Sequence, residues 1–144
     1  MNGRREISTV IEIAAPAVQV WQALTDFSHY PEWNPFIQRI YGTPTLGTRI
    51  KFWFSIPPVR AFVCATILNV NPEVELRWAG GIRGLFRAEH YMRIERIDDT
   101  HVRFHHGEIF TGILVGLVWH LLLARRGPPV YQNTNYALQK RVQR

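Results

Sequence analysis

The chain has 144 residues, 47% hydrophobic and 19% charged, which is the size and composition of a single globular domain spanning 1–144 with a sizeable core. Its net charge of +6 reflects fifteen Arg and two Lys against eleven Asp and Glu, the basic residues spread from Arg4 to Arg144 rather than massed in one tract, so no nucleic-acid partner is expected, whereas an acidic protein partner or the anionic head group of a ligand would suit it. The single cysteine, Cys64, excludes an internal disulfide and argues against a thiolate metal cluster, and the longest apolar run, Ile113 to Ala124, is short of the roughly twenty residues a membrane span needs.

Met1-Asn2-Gly3-Arg4-Arg5 runs directly into a strand pattern rather than an apolar leader, so no secretory signal and a cytoplasmic location are expected. Ile7, Thr9, Ile11 and Ile13 alternate with Ser8, Val10 and Glu12, the period of a strand with one buried face. Ala14-Ala15-Pro16 ends it, and Val18, Val20, Trp21 and Leu24 predict a short helix to about Asp26. The segment Phe27 to Phe36 is aromatic and holds Pro31 and Pro35, which suits a short helical turn and no long element.

Six strand-like stretches follow, separated by turn residues at Pro44 to Gly47, Pro57-Pro58, Asn71-Pro72, Gly80 to Gly84 and Asp98-Asp99, and predict an antiparallel meander. Ile50, Phe52, Phe54 and Ile56 share one face of their stretch, as do Val74, Leu76 and Trp78 of theirs. After Phe110 the spacing of Leu114, Leu117, Val118, Leu121 and Leu122 is that of an apolar helical stripe. Gly127-Pro128-Pro129 predicts a break, with a final helix from Pro128 or Pro129 to about Val142. The fold class is α+β.

The order β-α-α-β-β-β-β-β-β-α, together with Ile13 to Trp21, Tyr30-Pro-Glu-Trp-Asn-Pro-Phe36, Glu89-His90, Gly107 to Gly112 and Asn135 to Arg141, resembles the START-like superfamily. This is also called SRPBCC, or the polyketide cyclase/dehydrase and lipid transport group. The resemblance covers essentially the whole chain. It implies a helix-grip fold: a curved seven-stranded sheet around the C-terminal helix, two short helices after the first strand, and an apolar tunnel between them. Members bind lipids, sterols, hormones or polyketides, and some catalyse cyclisation or dehydration in the same cavity. The uninterrupted long helix usual in the family is not expected here, because of Gly127-Pro128-Pro129.

Alternation places Ala88, His90, Met92 and Ile94 on one face, and Val102, Phe104, His106, Glu108 and Phe110 on another. Two inward faces can pair only if opposed residue numbers sum to an even value, which a three-residue Asp98-Asp99-Thr100 loop satisfies by pairing Ile97 with His101. That register sets His90 opposite Glu108 and Met92 opposite His106. A slip of two would bring His90 to His106 or Phe110.

A buried carboxylate needs a partner, and an imidazole supplies one, so His90 and Glu108 are expected as a pair in the core. Three readings stay open: a hydrogen bond that fixes register, an anchor for a ligand carbonyl or hydroxyl, or a general acid/base pair. The rings of Trp33, Phe36, Phe52, Phe54, Trp78, Phe104 and Phe110 are plain core or, given the resemblance, a cavity lining, joined by Met92, His106, Leu117, His120 and Leu121. No metal or cofactor is expected, since no close histidine or Cys/His spacing supports one. The leading reading is a carrier of an apolar small molecule, followed by a cyclase or dehydratase and then a protein interaction module, with oligomeric state open.

Overall fold

The first strand, β1 (Gly3–Ile13), buries Ile7 and Ile13 and turns Ser8, Val10 and Glu12 to solvent, so its sequence alternation is its structural alternation. The structure is a computed structural model that describes residues 3–143; Met1 and Asn2, with which the expected strand approach begins, and Arg144 lie outside the described residues. Helix α1 (Ala17–Thr25) starts after Pro16 and buries Ala17, Val20 and Leu24. A 3₁₀ turn (Phe27–His29) and the single-turn α2 (Tyr30–Trp33) follow. The Asn34 side-chain oxygen then accepts from the backbone N–H of Phe36 and of Ile37, turning the chain into the sheet.

Strands β2 (Ile37–Tyr41), β3 (Arg49–Ile56), β4 (Val59–Asn71), β5 (Glu75–Ile82), β6 (Phe86–Asp98) and β7 (His101–Gly112) form an antiparallel meander. With β1 closing on β7, the seven-stranded order is β1-β7-β6-β5-β4-β3-β2. Its inner face carries Ile50, Phe52, Leu76, Trp78, Met92, Ile94, Val102 and Phe104 against the C-terminal helix, which is the helix-grip arrangement. Val74 stands outside this face, exposed in the turn before β5.

Two expectations about turns need correction. Pairs His90↔Glu108 and Met92↔His106 are present, but the hairpin closes on Asp98↔His101 through a two-residue Asp99-Thr100 turn. A bulge between Arg96 and Asp98 takes up the residue by which that turn alone would miss the register. Gly80 and Gly81 are not a loop but the end of β5, and the turn is confined to 83–85. A Cβ on Gly80 would meet the Cys64 carbonyl oxygen at 2.4 Å, so this glycine permits close strand approach rather than a turn.

The C-terminal segment runs α3 (Val115–Val118), a π-helical turn (Trp119–Leu123) and α4 (Ala124–Val142) without interruption. The break expected at Gly127 to Pro129 is absent. Pro128 and Pro129 remove the donors for the carbonyls of Ala124 and Arg125, and both of those residues are solvent-exposed, where water can replace the donors. Gly127 is buried against β1, since a Cβ there would lie 2.5 Å from Cδ1 of Ile7.

Tyr91 points to the outer face yet is buried, because Gly107 on β7 leaves room for its ring and its hydroxyl donates to Glu6 Oε2 at 2.8 Å. A Cβ on Gly107 would sit 2.3 Å from the Ile7 carbonyl oxygen and 2.4 Å from the Tyr91 hydroxyl. Gly107→Ala is therefore expected to lower the unfolding free energy by about 3 kcal/mol in urea denaturation.

Candidate functional site

The inner face does not close completely on the helix. A cavity of about 220 Å³ remains, walled by Phe36, Phe52, Phe54, Trp78 and Phe110 and roofed by Val118 and Leu122 of the helical segment. Its room comes from a row of small residues across adjacent strands: Ala65 on β4 pairs with Gly80 on β5, Gly80 with Ala88 on β6, and Ala88 with Phe110 on β7. Where that row would need larger side chains to meet the helix, it has almost none.

The polar groups gather at one place on this otherwise apolar wall. His90, Glu108 and Tyr131 all line the cavity, and the Tyr131 hydroxyl donates a very short hydrogen bond to Glu108 Oε1. Behind them a buried chain continues from His90 Nε2 to His106 Nε2 at 2.7 Å, then from His106 Nδ1 to Asn135 Oδ1 at 2.8 Å. Asn135 Nδ2 donates to Thr9 Oγ1 at 2.8 Å, and Thr9 Oγ1 donates to the His106 carbonyl at 2.6 Å.

This far end dictates the protonation of the rest. With the Asn135 amide nitrogen given to Thr9, its oxygen faces His106, so His106 Nδ1 must carry the hydrogen. The Nε2 of a neutral His106 is then an acceptor, and His90 donates to it from Nε2. What remains is a bare lone pair on His90 Nδ1, aimed at Glu108 Oε1 from 3.6 Å. That separation is too long for a hydrogen bond.

Burial explains the acidities. It drives the His90 imidazole well below its ordinary value, reinforced by the charge that His106 would carry. It lowers His106 to about 4 despite the opposing bond to Asn135, and raises Glu108 to about 7 despite the donation from Tyr131. The Tyr131 hydroxyl is pushed well above its usual range by burial and by the neighbouring carboxyl. Near neutrality His90 and Glu108 are therefore not a fixed ion pair. Glu108 is poised between its two forms beside an uncharged imidazole.

Among the residues singled out from sequence, Phe36, Phe52, Phe54, Trp78, His90, Glu108 and Phe110 border the cavity. Met92 and Phe104 are buried core beside it, and His106 lies directly behind His90 rather than on the wall. Trp33 is outside, edge-on to Tyr30 at 5.3 Å and facing a separate surface depression. Leu117, His120 and Leu121 are corrections: all three are exposed, Leu121 at 70%. Apolar residues surround the helix between 113 and 123, so periodicity could not choose a face. The inward row is Val115, Val118, Leu122 and Leu123, with the π-helical turn setting its phase.

Tyr131 and Asn135 were not singled out from sequence. They share the buried face of α4 with Gly127, Thr134 and Leu138, a spacing of four, three or four, and three that marks them as inward polar groups. Ala65, Gly80 and Ala88 carry no chemical signal of their own. Among the described residues, no group of three or more His, Cys, Asp or Glu side chains is placed to hold a metal ion.

Residues 4–143 match the family model for polyketide cyclase / dehydrase and lipid transport. The chain belongs to this family. No curated protein matches it in sequence. Solved members of the same fold include a START superfamily protein from Mycobacterium smegmatis, with TM-score 0.75, 17% identity and 98% of each chain covered. Norcoclaurine synthase from Thalictrum flavum, in complex with dopamine and hydroxybenzaldehyde, superimposes with TM-score 0.71 and 17% identity over 99% of this chain and 88% of that one. The Zhui aromatase/cyclase from a Streptomyces species gives TM-score 0.71 and 13% identity over 99% and 95%. At such identities the likeness establishes the helix-grip fold that the polyketide cyclase and lipid transport family shares.

Proposed function

We propose that this protein binds an apolar small molecule inside the sheet-helix cavity and holds one carbonyl or hydroxyl of it at Glu108 and Tyr131. The observation that carries the reading is the convergence of His90, Glu108 and Tyr131 on one point of an otherwise ring-lined cavity of about 220 Å³. Apolar walls with a few convergent polar groups are the usual composition of a ligand site. Size narrows the guest. An engineered dry cavity of about 150 Å³ takes benzene, so this one matches one or two fused rings, or a chain of similar bulk. The norcoclaurine synthase complex contains dopamine and hydroxybenzaldehyde, each with one ring, within the same fold.

A second reading has its own support in Glu108, whose carboxyl stands at about 7. A carboxyl there can take or give a proton at neutral pH, as enolisation or dehydration of a carbonyl compound requires. The aromatase/cyclase among the structural relatives makes such a substrate reasonable. An interaction module, the third possibility, would need a filled interior, which the cavity argues against.

Native mass spectrometry of gently purified protein tests the binding reading. The expected result is an adduct of small-molecule mass that disappears on denaturation, or, for protein purified empty, saturable uptake of a naphthol probe. Protein that carries no adduct and takes up no naphthol would overturn it. Consumption of a bound polyketone, lost in Glu108→Gln, would move the assignment to the enzyme.

A further inference from the structure

Charge and exposed apolar surface are arranged together at one end of the molecule. The meander puts the β3–β4 turn, the β5–β6 turn and the junction of β7 with α3 at one end of the sheet, and the other hairpin turns at the opposite end. Cavity lining reaches the first end at Gly81, Phe86, Val118 and Leu122. The start of β1 also lies at this end, with exposed Arg4, Arg5 and Glu6 opposite Thr111, Phe110 and Ile109; the other segments that build it, 49–66, 80–88 and 109–131, contain no Asp or Glu. They do present Arg83, Arg125 and Arg126 to solvent. Glu73 and Asp99 lie in the turns of the far end, and Asp98 ends β6 there.

The same end carries large apolar side chains in water: Ile82 is 64% exposed, Ile113 61%, Leu117 58% and Leu121 70%. The segments carrying Ile82 and Ile113 are held together. Ile113 N–H donates to the Gly84 carbonyl and Leu114 N–H to the Leu85 carbonyl, each at 3.0 Å, which fixes the turn after Ile82 against the start of the helix. Leu117 and Leu121 continue the surface one helical turn apart, beside the cavity-lining Val118 and Leu122.

We propose that this end docks on an anionic lipid bilayer, with Ile82, Leu117 and Leu121 entering the head-group boundary and Arg83, Arg125 and Arg126 meeting lipid phosphates. Exposed leucines flanked by arginines, with no carboxylate in the segments that carry them, satisfy both halves of interfacial binding: apolar burial and attraction to negative charge. No described helix is long and apolar enough to cross a membrane, so these side chains enter only the interface. A protein partner fits the patch less well. Protein hot spots favour Trp, Tyr and Arg and are poor in Leu, whereas the exposed apolar groups here are Leu and Ile. Docking in this pose turns the nearby end of the cavity toward the lipid, but the proposal does not depend on what the cavity holds.

The test is flotation of the purified protein with vesicles of phosphatidylcholine alone and of phosphatidylcholine with one quarter phosphatidylglycerol. Anionic vesicles should carry the protein upward, less so as salt is raised. Leu117→Gln/Leu121→Gln should abolish flotation without changing the melting temperature, since both side chains are exposed. Arg83→Gln and Arg125→Gln should each weaken partitioning about fivefold on anionic vesicles. Absence of flotation by the parent protein overturns the proposal, as does binding that survives Leu117→Gln/Leu121→Gln. A dimer in light scattering that this double variant dissociates, with no flotation by the parent, assigns the patch to a second copy and also overturns it. Naphthol uptake, measured separately, tests the cavity reading and can fail or succeed independently.

Discussion

Glu108→Gln should make the protein more stable at pH 8 by about 3 kcal/mol and confer almost no advantage near pH 4.5. Burial lifts this carboxyl from 4.5 to about 7. Between those values the unfolded chain has released the proton that the folded chain retains. The folded state therefore binds more protons, and stability falls as pH rises through the interval, by about 1.4 kcal/mol per unit. The full contribution is present below the ordinary carboxyl value and gone above the folded one. Glutamine removes this penalty and keeps the contact with Tyr131, because an amide oxygen in the place of Oε1 accepts from the Tyr131 hydroxyl as the carboxyl does.

The two histidines act in the opposite direction. Each is held below its ordinary 6.5 in the fold, so their contribution is complete above that pH and is lost on acidification, for His106 through about 4. The parent protein should thus lose stability on both sides of a maximum, whereas Glu108→Gln should rise with pH to a plateau. Urea denaturation at several pH values between about 4.5 and 8 reads the difference between the curves. A pH-independent difference, or a variant weaker than the parent at pH 8, would show that Glu108 is ionised and well solvated in the folded state.

The opposition of His90 and Glu108 is legible in the sequence because β6 and β7 form one hairpin, both alternate cleanly, and parity limits their register. The parity argument survives even though the turn is a residue shorter than expected, since a bulge at Ile97 restores the phase. The helix is less legible. Ile113 to Leu123 is apolar nearly all round, so Leu117 and Leu121 look as suitable for the interior as Val118 and Leu122, and only packing decides. Pro128 and Pro129 look like a break because local chemistry usually prevails at a proline pair; here burial of Gly127, Tyr131 and Leu138 on one continuous face holds the helix together. Tyr131 and Asn135 lie far along the chain from Glu108 and His106, and no local pattern links them. The cavity itself is the hardest feature to read. It depends on Ala65, Gly80 and Ala88 falling side by side, which requires the registers of β4–β5 and β5–β6 together.

That row of small residues yields the sharpest test of whether the space has a use. Ala88→Leu should weaken naphthol uptake on the order of a hundredfold, because even one added methylene in a fitted apolar site can be worth tenfold or more. The same change should leave the fold intact. Ala88 borders the cavity between Gly80 and Phe110, so a larger side chain can grow into empty volume rather than into a neighbour. At about 0.8 kcal/mol per buried carbon, three added carbons would stabilise the protein by up to ~2 kcal/mol, less any strain in fitting the branched end. Affinity and stability thus move apart, which ordinary core damage cannot produce, since a damaged core loses both. Fluorescence titration with naphthol beside thermal melting reads the two quantities on one sample. If Ala88→Leu binds naphthol as well as the parent does, the guest sits elsewhere, and the meeting of His90, Glu108 and Tyr131 is a device for fixing β6, β7 and α4 to one another.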